Sequence, residues 1–583
     1  VRFTLRAESP IHVGSGETHA WLDWFAADGF VHIVDWSRLL DAVLETRADA
    51  AESLAAFTDR ANTELEAQKD HVANARGRER DELLRGLRDR FSVLRWLKDE
   101  LKNDALHDAV RSGAYDRRRA AFIGGRFDRR LEIRGHAVDV GGAPTIPGTT
   151  LKGQLRSALA HAVLLRGDPE LAKVVLEGAD DLDGWDRTLA RATPGRARFR
   201  FGEEIEAAAF RVPNHRGPHR RLADRRFDVL RFLRVSDALK VNATLEVVRV
   251  SPFNLARGGD GHITPLLPTV VEALVPGSEF EFDVQVDARQ LKRLAAAPES
   301  GHPMLGAPLW SVLDRLFGLV RDDARMLDEP TIERRVLGAI EASLAARFQA
   351  IAAREKAWLD RMGAPKDAVQ RAFVERLAGD VERFPLRIGI GAGLHGTTAL
   401  LALERSPALA EPLARALARA GLGLTPQQRR ERAEREKLAM DRARQESGKA
   451  GKPGKGSPPV RDELKRETRD PKTVPVARRF TMEAGSPGEW LGFASIARGS
   501  IAPDAKPPEV AQRAPRPPRD DDRGPRDDRG PRRDGPRPPR GPSGDRGPRP
   551  PKPPRERRPE LPDRPATGDE LRKLMERFGP RRT

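Results

Sequence analysis

Cysteine is absent from the 583 residues. That excludes a disulfide framework, a thiolate metal site and a cysteine nucleophile. Tyrosine occurs once, at Tyr115, and Phe, Trp and Tyr together make up 5% of the chain. The usual aromatic platform for stacking bases is therefore missing. No apolar run approaches a membrane span, and the first residues lack the apolar core of a signal peptide. The expectation is a cytoplasmic protein with no membrane partner. The chain starts at Val1 rather than Met, so a trimmed or non-standard start is expected. The phosphate-loop spacing G-x-x-x-x-G-K-[ST] is absent. So are a nucleophile elbow and a clustered set of carboxylates.

Positive charge is abundant. The formal net charge is +17, which points to a polyanionic partner. Its location changes the inference. Residues 513–564 hold 17 Lys/Arg against 10 Asp/Glu, and residues 425–470 hold 14 against 9. The last stretch, 565–583, holds 5 against 3, which leaves a net of +3 for everything else. The part of the chain able to fold is close to balanced, so binding there must rest on a few placed cations and backbone N–H groups.

The length allows two or three domains. Phe3 and Leu5 alternate with polar neighbours as a strand does, and residues 21–34 read as a hairpin turning at Asp28-Gly29. Residues 36–44 continue as a short helix, and the charged stretch to about residue 120 reads as a helical insertion. Strands return at 197–201 and 242–250. Residues 269–286 read as a hairpin turning at Val275-Pro276-Gly277, with Phe280, Phe282, Val284 and Val286 on one face. Residues 331–362 read as a long helix whose stripe, Ile332 to Ile351, is core packing. Residues 425–470 form a charged linker. Residues 479–496 regain strand character. The tail 498–565 repeats Asp-Asp-Arg-Gly-Pro-Arg, has too few apolar residues to bury anything, and is expected to be disordered. Within residues 566–580, Thr567 and Glu570 make a capping box, and Leu571, Leu574, Met575 and Phe578 share one helical face. That segment reads equally as a docking helix for a partner or as a frayed terminus.

Three segments carry the functional signal. Residues 145–156 read TIPGTTLKGQLR, a loop-to-helix junction. Thr149 and Thr150 are competent N-caps, Lys152 and Arg156 share a face, and Gly148 and Gly153 permit close approach. Free N–H groups at a helix start beside a lysine suit a phosphate; ordinary turn punctuation is the alternative. Residues 9–17 read SPIHVGSGE, with Gly14 and Gly16 flanking Ser15. Residues 385–396 read PLRIGIGAGLHG. Strand alternation puts Leu386, Ile388 and Ile390 on one face and Arg387, Gly389 and Gly391 on the other, where another backbone can approach. Gly393 and His395 continue that segment.

Together these boxes resemble the RAMP superfamily of CRISPR-associated RNA-binding proteins. Their order, with residues 233–237 (LRVSD) and the late PGEWLGF at 487–493, is similar to the fifth-subunit family of type III-A Csm effector complexes. The late segment departs from that family's P-x-G-W by placing Gly488-Glu489 before Trp490. The resemblance covers roughly residues 3–496. It implies an α+β fold of two ferredoxin-like, RRM-related RAMP domains with helical insertions, placed at 1–235 and 236–497. It implies a terminal subunit that binds crRNA on its 3′ side through the glycine loops and the junction. The implied partners are backbone-forming Csm subunits and nucleases recruited for 3′-end maturation. The tail lies outside the resemblance.

Two alternatives stay open: a RAMP endoribonuclease that processes crRNA, and a general RNA chaperone acting through the basic tail. For the first, His12 and His395 are the candidate acid–base residues, with Asp35, Asp139 and Asp237 as candidate aspartates. His12 lies between Ile11 and Val13 at a strand end, and Tyr115 has no obvious partner. Paired groups for acid–base chemistry are not evident, so the expectation is a binding protein without intrinsic catalysis. His215 and His219 have H-x-x-x-H spacing, but Gly217-Pro218 opposes the helix a zinc pair needs. No metal or cofactor is expected.

Overall fold

The computed structural model describes residues 1–74, 83, 86, 90–123, 132–167, 201–212, 227–255, 263–265, 269–299, 302–360, 367–380, 382–392, 401–402, 434, 477–483 and 486–501. The chain divides into two compact units, Val1–Gln512 and Arg513–Thr583. All described residues lie in the first. His215, His219, Gly393, His395, the linker 425–470 (Glu434 apart) and the segment from Leu571 to Phe578 lie outside them.

The first unit is α+β, built on two sheets. One runs Phe384–Arg387, Phe493–Arg498, Arg2–Ala7, Glu279–Val286, Ala238–Asn242 and Thr145–Ile146, with Leu233–Val235 also pairing to Glu279–Val286. The other runs Gly14–His19, Ile133–His136, Thr269–Leu274, Leu245–Leu255, Asp116–Ile123, Phe30–Val34 and Trp24–Ala27. Ala477–Glu483 pairs to Leu245–Leu255 and carries Ser486–Trp490. The first strand pairs with the last, Leu5 opposite Ile496. Each sheet takes strands from both sides of residue 235.

Several local expectations hold. Asp28 and Gly29 adopt φ of 51° and 81°, the left-handed pair a two-residue hairpin turn requires. The long helix spans Glu329–Asp360 and buries the expected stripe. Others are corrected. Thr269–Leu274 and Glu279–Val286 are not a hairpin: the turn between them carries the chain from one sheet to the other. The first arm is buried from Val270 to Leu274, as a strand covered on both faces is; only the second alternates. Phe201 begins a helix, Phe201–Phe210, not a strand. The helical insertion stops before Asp116–Ile123, a strand whose three arginines disguise its alternation. The insertion's helices pack around Trp96.

The long helix corrects one absence. By length and composition it is apolar enough to cross a membrane. Here it packs against the junction helix Gly148–Leu165 and buries Arg347, Arg354 and Glu355. The Glu355 carboxylate accepts from Arg387 at 2.7 Å and from Arg478 at 2.5 Å, which ties the helix to a strand of each sheet.

Candidate nucleic-acid interface

The first and third glycine segments meet. After Arg2–Ala7 the chain crosses toward the second sheet. On the way Pro10 O accepts from Gly492 N–H and His12 O from Ile390 N–H, both at 2.9 Å. Ile388 N–H donates to Gly492 O at 2.8 Å. The approach is so close that side chains do not fit. A Cβ on Gly389, whose φ is 66°, would lie 2.0 Å from His12 O, and one on Gly391 would lie 2.2 Å from Leu491 O. The backbone that these glycines admit is therefore the chain's own. Strand Phe384–Arg387 ends before them, and Gly389–Gly391 is a 3-10 turn. Arg387 does not face solvent. It is buried against Glu355 with its guanidinium 4.5 Å from the Phe493 ring centre, and burial pushes its pKa down to about 10. The expectation of an RNA contact at Arg387 is corrected: its charge is spent inside.

Gly14, Ser15 and Gly16 lie on the exposed edge strand Gly14–His19. Ser15 Oγ donates to Gly135 O at 3.2 Å and accepts from Glu17 N–H at 3.0 Å. Gly16 has φ 88° and open space beside it. Among the described residues no strand pairs with the outer side of this edge.

Beneath it lies a buried polar cluster that the sequence reading missed. His12 Nδ1–H donates to Glu272 O at 2.7 Å, and His136 N–H donates to the Glu272 carboxylate at 2.9 Å. Arg118 pairs with that carboxylate at 3.0 Å and donates to His19 Nε2 at 3.1 Å. Burial lowers the His12 pKa, against the pull of Glu272. Burial, then the neighbouring His12 charge, lowers His136 to about 3. Burial opposes the Glu272 charge, but His19, Arg118 and the His136 N–H outweigh it and hold that carboxyl below its usual range. His12 and His136 are thus neutral at pH 7, and Glu272 is ionised. The available signal was a lone glutamate in the apolar run TVVEAL.

The junction is separate and internally satisfied. Helix Gly148–Leu165 starts after Pro147 and has no side-chain cap from Thr149 or Thr150. Instead the Asp237 carboxylate accepts from Gly148 N–H at 2.7 Å. Lys152 Nζ donates to Leu233 O at 2.7 Å. Arg156 pairs with Asp228 at 2.7 Å and Glu206 at 3.1 Å. A Cβ on Gly148 would strike Val235 O at 2.4 Å; one on Gly153 would meet nothing. The phosphate cradle is corrected accordingly: a carboxylate already occupies the positive helix end, and the junction clasps residues 233–237.

The candidate aspartates have structural work too. Asp35 caps Trp36–Thr46 and Asp139 accepts from Gly141 and Ala143 N–H within its own loop. Tyr115 O accepts from Asp35 N–H. Among the described residues no group of three or more His, Asp or Glu is placed to hold a metal.

The solved structures that resemble this chain include the following two. One is a chain of a cryo-EM Csm–crRNA–target RNA ternary complex of a type III-A CRISPR-Cas system, 18% identical, with a TM-score of 0.48, covering 85% of this chain and 99% of that one. The other is the crystal structure of Csm5 from T. onnurineus, 20% identical, with a TM-score of 0.42, covering 69% and 93%. No curated protein matches. The family profile of the RAMP superfamily matches residues 4–296, half of the sequence and both of its first two boxes, and the chain belongs to that superfamily.

Proposed function

We propose that this protein is a crRNA-binding terminal subunit of a type III-A Csm effector complex. In this reading it supports assembly and crRNA 3′-end maturation, with backbone-forming Csm subunits and recruited nucleases as partners. The observation that carries it is the meeting of two boxes far apart in sequence, 9–17 and 385–396, beside an open glycine-rich edge strand in a RAMP-superfamily chain. An exposed edge strand presents backbone N–H groups without base specificity, as guide binding requires. In this reading the subunit binds and does not cut: burial lowers the His12 pKa, so at pH 7 the ring lacks the proton of a general acid and is a weakened base, able to accept a hydrogen bond but poor at removing a proton.

Purifying the full chain with its native partners and sequencing the associated RNA tests this. Guide RNAs with repeat-derived tags, together with other Csm subunits, are the expected result. Heterogeneous RNA that disappears on deleting Arg513–Thr583 would make it a chaperone instead. Metal-free cleavage of repeat RNA that is lost in His12→Ala or His395→Ala would make it a nuclease.

A further inference from the structure

Arg134 and Arg479 belong to none of the sequence boxes, yet the fold brings both to where those boxes meet. Arg134 is exposed on Ile133–His136, opposite Thr18 of the edge strand and Val271 of the next. Val271 packs with Leu491 and Ile390 of the glycine knot. Arg479, also exposed, reaches the same knot from Ala477–Glu483, where its guanidinium donates to Ile390 O at 2.6 Å. Among the described residues neither arginine is paired with a carboxylate. By contrast, the guanidiniums of Arg2, Arg118, Arg156, Arg376, Arg387 and Arg498 each have a carboxylate partner. Partial desolvation of the guanidinium and then the charge of Arg134 lower the Arg479 pKa, and Arg134 also depresses His12. Two adjacent cations without a counter-ion form a site for an anion.

His12 adds a different kind of group. Its Nδ1–H is committed to Glu272 O, so in the neutral ring Nε2 carries a lone pair and no proton. Nε2 lies under Gly14, where a Cβ would come within 3.3 Å of it. Gly14 is exposed and outside the left-handed region. Its backbone does not demand glycine; what its missing side chain leaves open is an acceptor nitrogen.

We infer that Arg134, Arg479 and His12 form a ribose–phosphate subsite for single-stranded RNA. The arginines take a backbone phosphate, and His12 Nε2 accepts a hydrogen bond from a 2′-hydroxyl, the group that distinguishes RNA from DNA. The subsite rests on the RNA-binding function proposed above and assigns the contact that confers RNA preference to Gly14 and His12.

The test compares a fluorescein-labelled single-stranded RNA, the DNA of the same sequence, and the RNA carrying 2′-deoxy positions, each titrated with the full chain. The wild type should favour RNA over DNA by about fivefold, the value of one neutral hydrogen bond. Gly14→Val should cover Nε2 and lower RNA affinity about fivefold more than DNA affinity, closing the gap between the two. Arg134→Ala with Arg479→Ala should weaken both probes alike, by about tenfold or more, and make the salt slope shallower by about 1.4. Equal RNA and DNA affinities for the wild type would overturn the subsite without touching guide binding. So would parallel losses of RNA and DNA in Gly14→Val. Deoxy-substituted RNA on the wild type needs no variant to fold: unchanged affinity at every substituted position also overturns it. No binding of either nucleic acid would overturn the proposed function as well.

Discussion

At the scale of single residues, glycine positions that look alike in sequence differ in what they do. Gly389 combines a left-handed φ with a Cβ position 2.0 Å from a carbonyl. Gly389→Ala is expected to destabilise the protein by more than about 4 kcal/mol, since both strain and a backbone clash must be relieved, and chemical denaturation reads that directly. Gly153 lies in a helix with nothing near its Cβ. Gly153→Ala is expected to stabilise by about 0.5–1 kcal/mol; a loss of stability would mean that the helix surface there is not open. His136 supports a pH prediction. Its pKa falls from 6.5 to about 3 on folding, so below pH 6.5 the unfolded chain binds a proton that the folded one refuses. Stability is therefore full above pH 6.5 and declines as pH falls toward 3, with a slope of at most about 1.4 kcal/mol per pH unit. His12 acts in the same direction. Melting curves between pH 6.5 and 5, above the carboxylate range, should show a shallower slope for His136→Phe than for the wild type.

At the scale of elements, the junction helix and the long helix show what a linear reading reaches. The start of Gly148–Leu165 was legible from the loop-to-helix punctuation at residues 145–150. Its cap was not, because Asp237 arrives from 89 residues away. Lys152 and Arg156 looked free for the same reason: Leu233, Asp228 and Glu206 are invisible at helical spacing. Lys152→Ala is thus expected to lower the melting temperature and leave the salt slope of RNA binding unchanged. A shallower slope would return that lysine to the RNA contact. The hairpin reading of residues 269–286 failed through a similar limit, since a tight turn joins two strands whether or not they pair. In the long helix the stripe was legible, but no pattern in the sequence sets Glu355 apart. It sits between Arg387 and Arg478, fully desolvated. Glu355→Ala would strand two buried guanidiniums and is expected to cost about 3–5 kcal/mol, measurable as a shift in the denaturation midpoint.

At the scale of the whole molecule, charge and recognition are divided along the chain. The unit Arg513–Thr583 carries a net +9 and the first 512 residues +8. Arg-rich segments whose single aromatic is Phe578 attract any polyanion through counterion release, which RNA and DNA supply alike. They add affinity and salt dependence but no means of sensing a 2′-hydroxyl. The groups that could sense one lie in the first unit, held by hydrogen bonds between chain segments nearly 500 residues apart, such as Gly492 N–H to Pro10 O. Truncation before Arg513 should therefore weaken RNA and DNA binding by the same factor and flatten both salt slopes, while the RNA-to-DNA ratio stays where the full chain sets it. Measuring that ratio at two salt concentrations separates the contributions. If the preference disappears with the tail, RNA is recognised there, and the edge strand at Gly14 is left with a structural role alone.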